Sequence, residues 1–177
     1  EDLSQRGWNA LYLENHDIPR IISAFGDASQ ACAKAFAVAY FLLRGTPLIF
    51  QGQEIGMTNG LFTSADQIDS RSVKLTYQDL LAQGLSEKEA LAQATQWSRD
   101  HARLPMQWDA SPQAGFTTGQ PWMVLNSNYQ TRNVQSQMAQ EGSLFYLYKR
   151  LIALRHQEAV ISRGSFSALE TGQDRVG

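Results

Sequence analysis

"ASQACAKAFAVAYFLLRGTPLIFQG" runs from Ala28 to Gly52, and its reading decides the fold. Ala28 to Leu43 is apolar on nearly all sides of a helix, the pattern of a buried helix. Gly45 suits the helix C-terminus. Thr46-Pro47 begins the next element, and Pro47 to Gly52 reads as a buried strand. Working outward, Gly26-Asp27 reads as a turn, and Leu11-Tyr12-Leu13 as a short strand ending at Glu14–Asp17. Pro19 forces the residue before it to be extended and ends any regularity. Strand, helix and strand within about 40 residues predict a βαβ unit and a parallel sheet. The residues just after each strand then share one sheet edge, where α/β folds build their sites. Asn15, His16 and Asp17 are therefore expected beside Gln53 and Glu54.

The chain continues differently. Gly56 to Trp122 is mostly polar and far longer than an ordinary loop, which predicts a functional insertion. One helix is clear within it: Ser86 and Glu89 form a capping box ahead of "SEKEALAQATQW". Ala102 to Trp122 reads as irregular, with three prolines. From Leu144, "LFYLYKRLIALR" predicts an amphipathic helix with Leu144, Leu147, Tyr148, Leu151 and Ile152 on one face. After Val160, "VISRGSFSAL" reads as the start of a β-rich element.

At 177 residues the chain can hold one ordinary domain with a sizeable core. Hydrophobic residues at 43% and charged residues at 18% place it among globular chains. A net charge of −2 gives no electrostatic footprint for nucleic acid or an anionic membrane. The run Ala31–Leu43 is too short to span a bilayer and carries Lys34. The single cysteine, Cys32, rules out an internal disulfide framework and fits a reducing, cytoplasmic setting. The chain opens Glu1-Asp2 without a methionine, as a piece of a longer protein or a processed chain would.

Several residues carry possible chemistry. An ionised Asp17 accepts hydrogen bonds, and His16 can donate or accept. Together they suit sugar hydroxyls or assistance to catalysis; the bland alternative is a local Asx turn with a satisfied histidine. No metal site is expected, because His101 and His156 lack ligand spacing with His16. Glu54 could be one of a glycosidase pair of carboxylates. The favoured reading makes it a structural acid paired with an arginine of the long loop. Arg99, Asp100, His101 and Arg103 form a dense charged cluster. Arginine's fork suits carboxylates or vicinal hydroxyls, but a charge run is more often a solvated helix end. Trp108, Phe116 and Trp122 are either stacking platforms for a ligand or loop-packing residues.

Five segments in series carry a family resemblance: "ENHDIPR" (14–20), "GTPLIFQGQEIGMTN" (45–59), "SRDHARLPMQWDASPQAGFTTGQPW" (98–122), "NSNYQTRNV" (126–134) and "FYLYKRLIALR" (145–155). The chain resembles glycoside hydrolase family 13, the α-amylase superfamily. It is most similar to the oligo-1,6-glucosidase, dextran glucosidase and trehalose-6-phosphate hydrolase group. The resemblance implies an α/β fold: the C-terminal portion of a (β/α)8 TIM barrel, with its last two strands, their helices and a long loop. Residues 1–159 would belong to that barrel, and 160–177 would start a C-terminal β-sandwich domain. Leu144 onward would be the barrel's eighth helix.

By the same resemblance, Asp17 would be the third catalytic carboxylate, a transition-state stabiliser gripping the scissile-bond glucose. His16 would bind the same sugar, and Arg103 the non-reducing-end glucose, with Arg99 the second choice. Arg20 would border the pocket. Gln53 departs from the Glu common at that position in the group and receives no role. No cofactor is implied. A whole barrel takes about 250 residues, and the family's nucleophilic Asp and general-acid Glu lie on earlier strands. The segment alone is therefore expected to be inactive and to need the remainder of its parent chain. Its cut sheet edge and apolar helix face predict self-association, or burial of those surfaces in a rearranged fold. The implied activity is retaining, exo-acting hydrolysis of α-1,6 or related glucosidic bonds in short oligosaccharides. Trehalose-6-phosphate hydrolysis is the alternative within the group, less favoured because no phosphate-binding basic residues stand out. The alternative in a different class is a free-standing helical carbohydrate-binding module using Trp108–Trp122.

Overall fold

The computed structural model describes residues 7–165. Strand β1 (Ala10–Leu11) and strand β2 (Thr46–Pro47) pair in parallel, with Ala10 opposite Thr46 and Leu11 opposite Pro47. The Leu48 N–H extends the ladder to the Leu11 carbonyl at 2.7 Å. Between the strands lie α1 (Ile21–Ala24) and α2 (Gln30–Phe41). The expected strand–helix–strand unit is therefore present, although each strand is shorter than its apolar run.

Two expectations about this unit are corrected. Helix α2 is buried on one face only. Ala33, Ala37, Tyr40 and Phe41 are inside, whereas Ala31, Ala35, Val38 and Ala39 face outward. Leu48 and Ile49, read as a buried strand, are exposed. The cause is the same in both places. A parallel strand is buried only when elements cover both faces and strands flank it, and the sheet described here has two strands.

α2 starts at Ser29, whose hydroxyl accepts from the Cys32 N–H at 3.0 Å, a cap that satisfies one orphan donor. Its inner face packs on α6 (Leu144–Gln157) through Leu144, Tyr148 and Leu151, which with Ile22 form the first core cluster. Leu147 lies partly buried against that cluster. Ile152, placed by periodicity on the same face, is exposed.

The long polar region folds as its own layer. α3 (Arg71–Ala82) and α4 (Glu87–Thr95) form a helical hairpin. The Ser86–Glu89 capping box is present: Ser86 Oγ accepts from the Glu89 N–H, and Glu89 Oε2 accepts from the Ser86 N–H. Sequence reading missed α3, whose apolar spacing is Val73, Tyr77, Leu80 and Leu81 in a mostly polar segment. It buries no residue fully, so its pattern is faint. The second core cluster lies here, built from Ile55, Met57, Phe62, Ile68, Leu91, Leu104, Met106 and Met123.

α5 (Val134–Met138) precedes α6, and α7 (Ala159–Arg163) follows it. Residues 160–163, read as the start of a β-rich element, are thus helical; 166–177 lie outside the described residues. Among the described residues no helix is long and apolar enough to cross a membrane.

Candidate active site

The loop after β1 carries Asn15, His16 and Asp17. Asn15 Oδ1 accepts the Asp17 N–H at 2.8 Å, which is an Asx turn. That turn does not use up the neighbouring side chains, since His16 and Asp17 are 71% and 53% exposed at their side chains. The local turn is therefore present, and it leaves the His16 and Asp17 side chains free to meet other groups.

Asp17 meets three basic side chains. Its Oδ1 lies 3.2 Å from Arg103 Nη2 and 3.5 Å from Arg99 Nη1. Its Oδ2 lies 3.2 Å from His16 Nε2. Arg103 also donates from Nε to the His16 carbonyl at 3.1 Å. One guanidinium thus bridges the backbone and the carboxylate of adjacent residues, using the two-pronged geometry that lysine lacks.

The charged cluster Arg99–Arg103 splits between inside and outside. It forms a 3-10 turn capped by Ser98, whose hydroxyl accepts the Asp100 N–H at 3.0 Å. Asp100 points inward, fully buried, and its Oδ2 accepts the Asp69 and Ser70 N–H groups, each at 3.0 Å. Ser70 is the N-cap of α3. His101 is also buried, with Nε2 2.8 Å from the Thr95 carbonyl, and burial holds its pKa below the usual histidine range. With these two held inside, Arg99 and Arg103 are left to face Asp17. Asp100 is the residue that sequence reading missed: inside a charge run nothing local separates a buried anchor from a solvated neighbour.

Arg20 is corrected. The resemblance placed it at the pocket's border, but its side chain is fully buried, with Nη1 2.9 Å from Glu14 Oε2. It presents no atom to a ligand at the surface. Glu54 is corrected too, since it makes no ion pair among the described residues and one of its carboxylate oxygens is buried without a partner. Burial pushes its carboxyl above the usual range. Gln53 has a structural position, donating from Nε2 to Tyr40 Oη at 3.0 Å and Tyr148 Oη at 2.8 Å. The loop after β2 does approach the loop after β1, through Glu14 and Arg20 rather than through His16 and Asp17. Trp108, Phe116 and Trp122 are 49%, 45% and 71% exposed. No cluster of three or more potential metal ligands occurs among the described residues.

The alpha-amylase catalytic-domain model matches residues 1–164. The chain belongs to the alpha-amylase family. It is 43% identical over 173 residues to the glucan 1,6-alpha-glucosidase of Streptococcus pneumoniae serotype 4, covering 96% of this chain and 32% of that protein. It is 45% identical over 166 residues to the trehalose-6-phosphate hydrolase of Escherichia coli K12, covering 92% of this chain and 30% of that protein. Among solved structures it is similar to a mutant isomaltulose synthase from Erwinia rhapontici NX5 in complex with its natural substrate sucrose. There the TM-score is 0.83 at 42% identity, covering 92% of this chain and 30% of that chain. The chain thus spans about a third of the length of the relatives it matches.

Proposed function

We propose that this chain is the C-terminal part of the (β/α)8 catalytic barrel of a retaining, exo-acting α-glucosidase. The whole protein would cleave α-1,6 or related glucosidic bonds of short oligosaccharides. The observation that carries this reading is the meeting of Asp17 with Arg103, Arg99 and His16 in one exposed site. The names of the relatives support the chemistry: a glucan 1,6-alpha-glucosidase, and a sugar-bound synthase of similar fold.

In this reading Asp17 accepts hydrogen bonds from hydroxyls of the glucose at the scissile bond. A carboxylate oriented beforehand by two guanidinium groups stabilises the oxocarbenium-like transition state without reorganising. His16 binds the same sugar from the adjacent position. Arg103 closes the non-reducing end, which makes attack exo, and Arg99 is the second choice for that role. Arg20 acts from inside and touches no sugar. A retaining mechanism needs two carboxyl groups about 5 Å apart across the bond. Neither the exposed Asp17 nor the inward Glu54 supplies such a pair here, so the nucleophile and general acid belong to the rest of the parent protein. A cytosolic location is part of the proposal, supported by the single cysteine.

The test compares the longer protein that contains this chain with the chain alone. Isomaltose, an aryl α-glucoside and trehalose 6-phosphate are the substrates. The expected result is turnover of isomaltose and the aryl glucoside by the longer protein and none by the chain. Preference for trehalose 6-phosphate would move the assignment to the phosphorylated disaccharide. Turnover by the chain alone, lost in Asp17→Ala, would overturn the division of labour.

A further inference from the structure

The site loop Asn15–Pro19 is closed at its base by the residues that bracket it. Glu14 precedes the loop and Arg20 follows it, and both are buried. Glu14 uses both oxygens there: Oε2 accepts from Arg20 Nη1 at 2.9 Å, and Oε1 accepts the Ile21 N–H at 3.0 Å. Arg20 then reaches into the loop after β2. Its Nη1 donates to the Gln51 carbonyl at 2.8 Å, and its guanidinium sits 5.2 Å from the Phe50 ring centroid. Its own N–H donates to Asn59 Oδ1 at 2.9 Å. Gly52, at φ +85°, leaves the room this needs. A Cβ there would lie 3.2 Å from Arg20 Nη2 and 2.3 Å from Met57 Sδ.

We propose that the Glu14–Arg20 pair is a brace that positions the Asp17 carboxylate by tying the base of its loop to the loop after β2. The inference rests on the role assigned to Asp17 above. Three features support it. The pair spans only the segment that carries His16 and Asp17. Those two side chains are themselves exposed, so packing does not hold them. A buried ion pair is a poor source of stability compared with apolar residues of the same volume, and its best-attested use is to specify one geometry. Glu14 and Arg20 touch no substrate; both are positioning residues.

The experiment uses the longer protein containing this chain, with Glu14→Gln, Asp17→Asn and the double variant, assayed on 4-nitrophenyl α-glucopyranoside. Glu14→Gln is expected to lower kcat at least about tenfold, as a misplaced reacting group does, with KM changed less than about twofold. In the Asp17→Asn background it should cost nothing further, because the group it positions is already disabled. Equal losses in both backgrounds would mean a purely structural role and would overturn the brace. Amide hydrogen exchange supplies a readout independent of turnover. Residues 15–21 should exchange at least about tenfold faster in Glu14→Gln while α6 is unchanged. Unchanged exchange at 15–21 would also overturn the proposal. If wild-type protein lacks glucosidase activity, the functional reading fails and exchange alone decides the brace. If Glu14→Gln does not fold, Arg20→Lys replaces it in both measurements. That variant keeps the charge and loses the fork, and the same two outcomes decide.

Discussion

Arg103 spans Asp17 and the residue before it: Nη2 is 3.2 Å from Asp17 Oδ1, and Nε donates to the carbonyl of His16 at 3.1 Å. The two residues are 86 positions apart in the chain. The relationship ties the insertion to the loop after β1, because its 3-10 turn delivers the guanidinium that meets the Asp17 carboxylate.

Removing that group should therefore cost activity before stability. Arg103→Ala in the longer protein loses charge-assisted hydrogen bonds worth about 1.5–3 kcal/mol. The expected fall in kcat/KM on an aryl α-glucoside is about ten- to a hundredfold. Arg103→Lys should recover only part of it, since an ammonium cannot reach both acceptors in one plane.

Arg99→Ala should do much less. Its single contact with Asp17 is long, at 3.5 Å, and the side chain is 45% exposed. Exposed pairs of this kind contribute about 0–1 kcal/mol, so kcat/KM should fall by no more than about fivefold. A loss as large as that of Arg103→Ala would show that Arg99 meets the substrate directly.

Asp100 predicts the opposite balance. Asp100→Ala strands the buried Ser70 N–H at a cost of about 1–3 kcal/mol, and also leaves the part-buried Asp69 N–H without its acceptor. Thermal unfolding should show a drop of several degrees in Tm. Asp100→Asn retains one acceptor and should lose less, followed by the same measurement.

Glu54 should be a stability liability at neutral pH. Burial raises its carboxyl pKa in the folded state. The folded chain therefore binds the proton more tightly than the unfolded one, and stability present below about pH 4.5 is lost as pH rises. Glu54→Gln should raise Tm at pH 7.5, by the few degrees that about 1 kcal/mol supplies. The gain should shrink at pH 4. A gain of equal size at both pH values would refute the assignment.

His101 has the reverse sign. Burial lowers its pKa, so the unfolded state takes up the proton first as pH falls through about 6.5. Tm should decline between pH 7.5 and 5. The slope should be shallower in His101→Gln, where nothing titrates at that position, and the difference between the two curves isolates the histidine from the buried glutamates.

Local signals in the amino-acid sequence determined what acts within a few residues. The Ser86–Glu89 box, the parallel strand–helix–strand order and the motifs around Asp17 and Arg103 were all legible, because caps, turns and periodicity depend on near neighbours. Tertiary structure alone decided which way each side chain of those motifs points. Arg20 was expected at the pocket's border and Asp100 in a solvated charge run, and both are buried, because their partners are Glu14 and Gln51 in one case and the α3 N-terminus in the other. The α2 helix looked buried on all sides and is covered on one, because coverage depends on which elements pack beside it. A residue's type limits the bonds it can make. The distant groups that the fold brings to it decide whether those bonds face a substrate or the core.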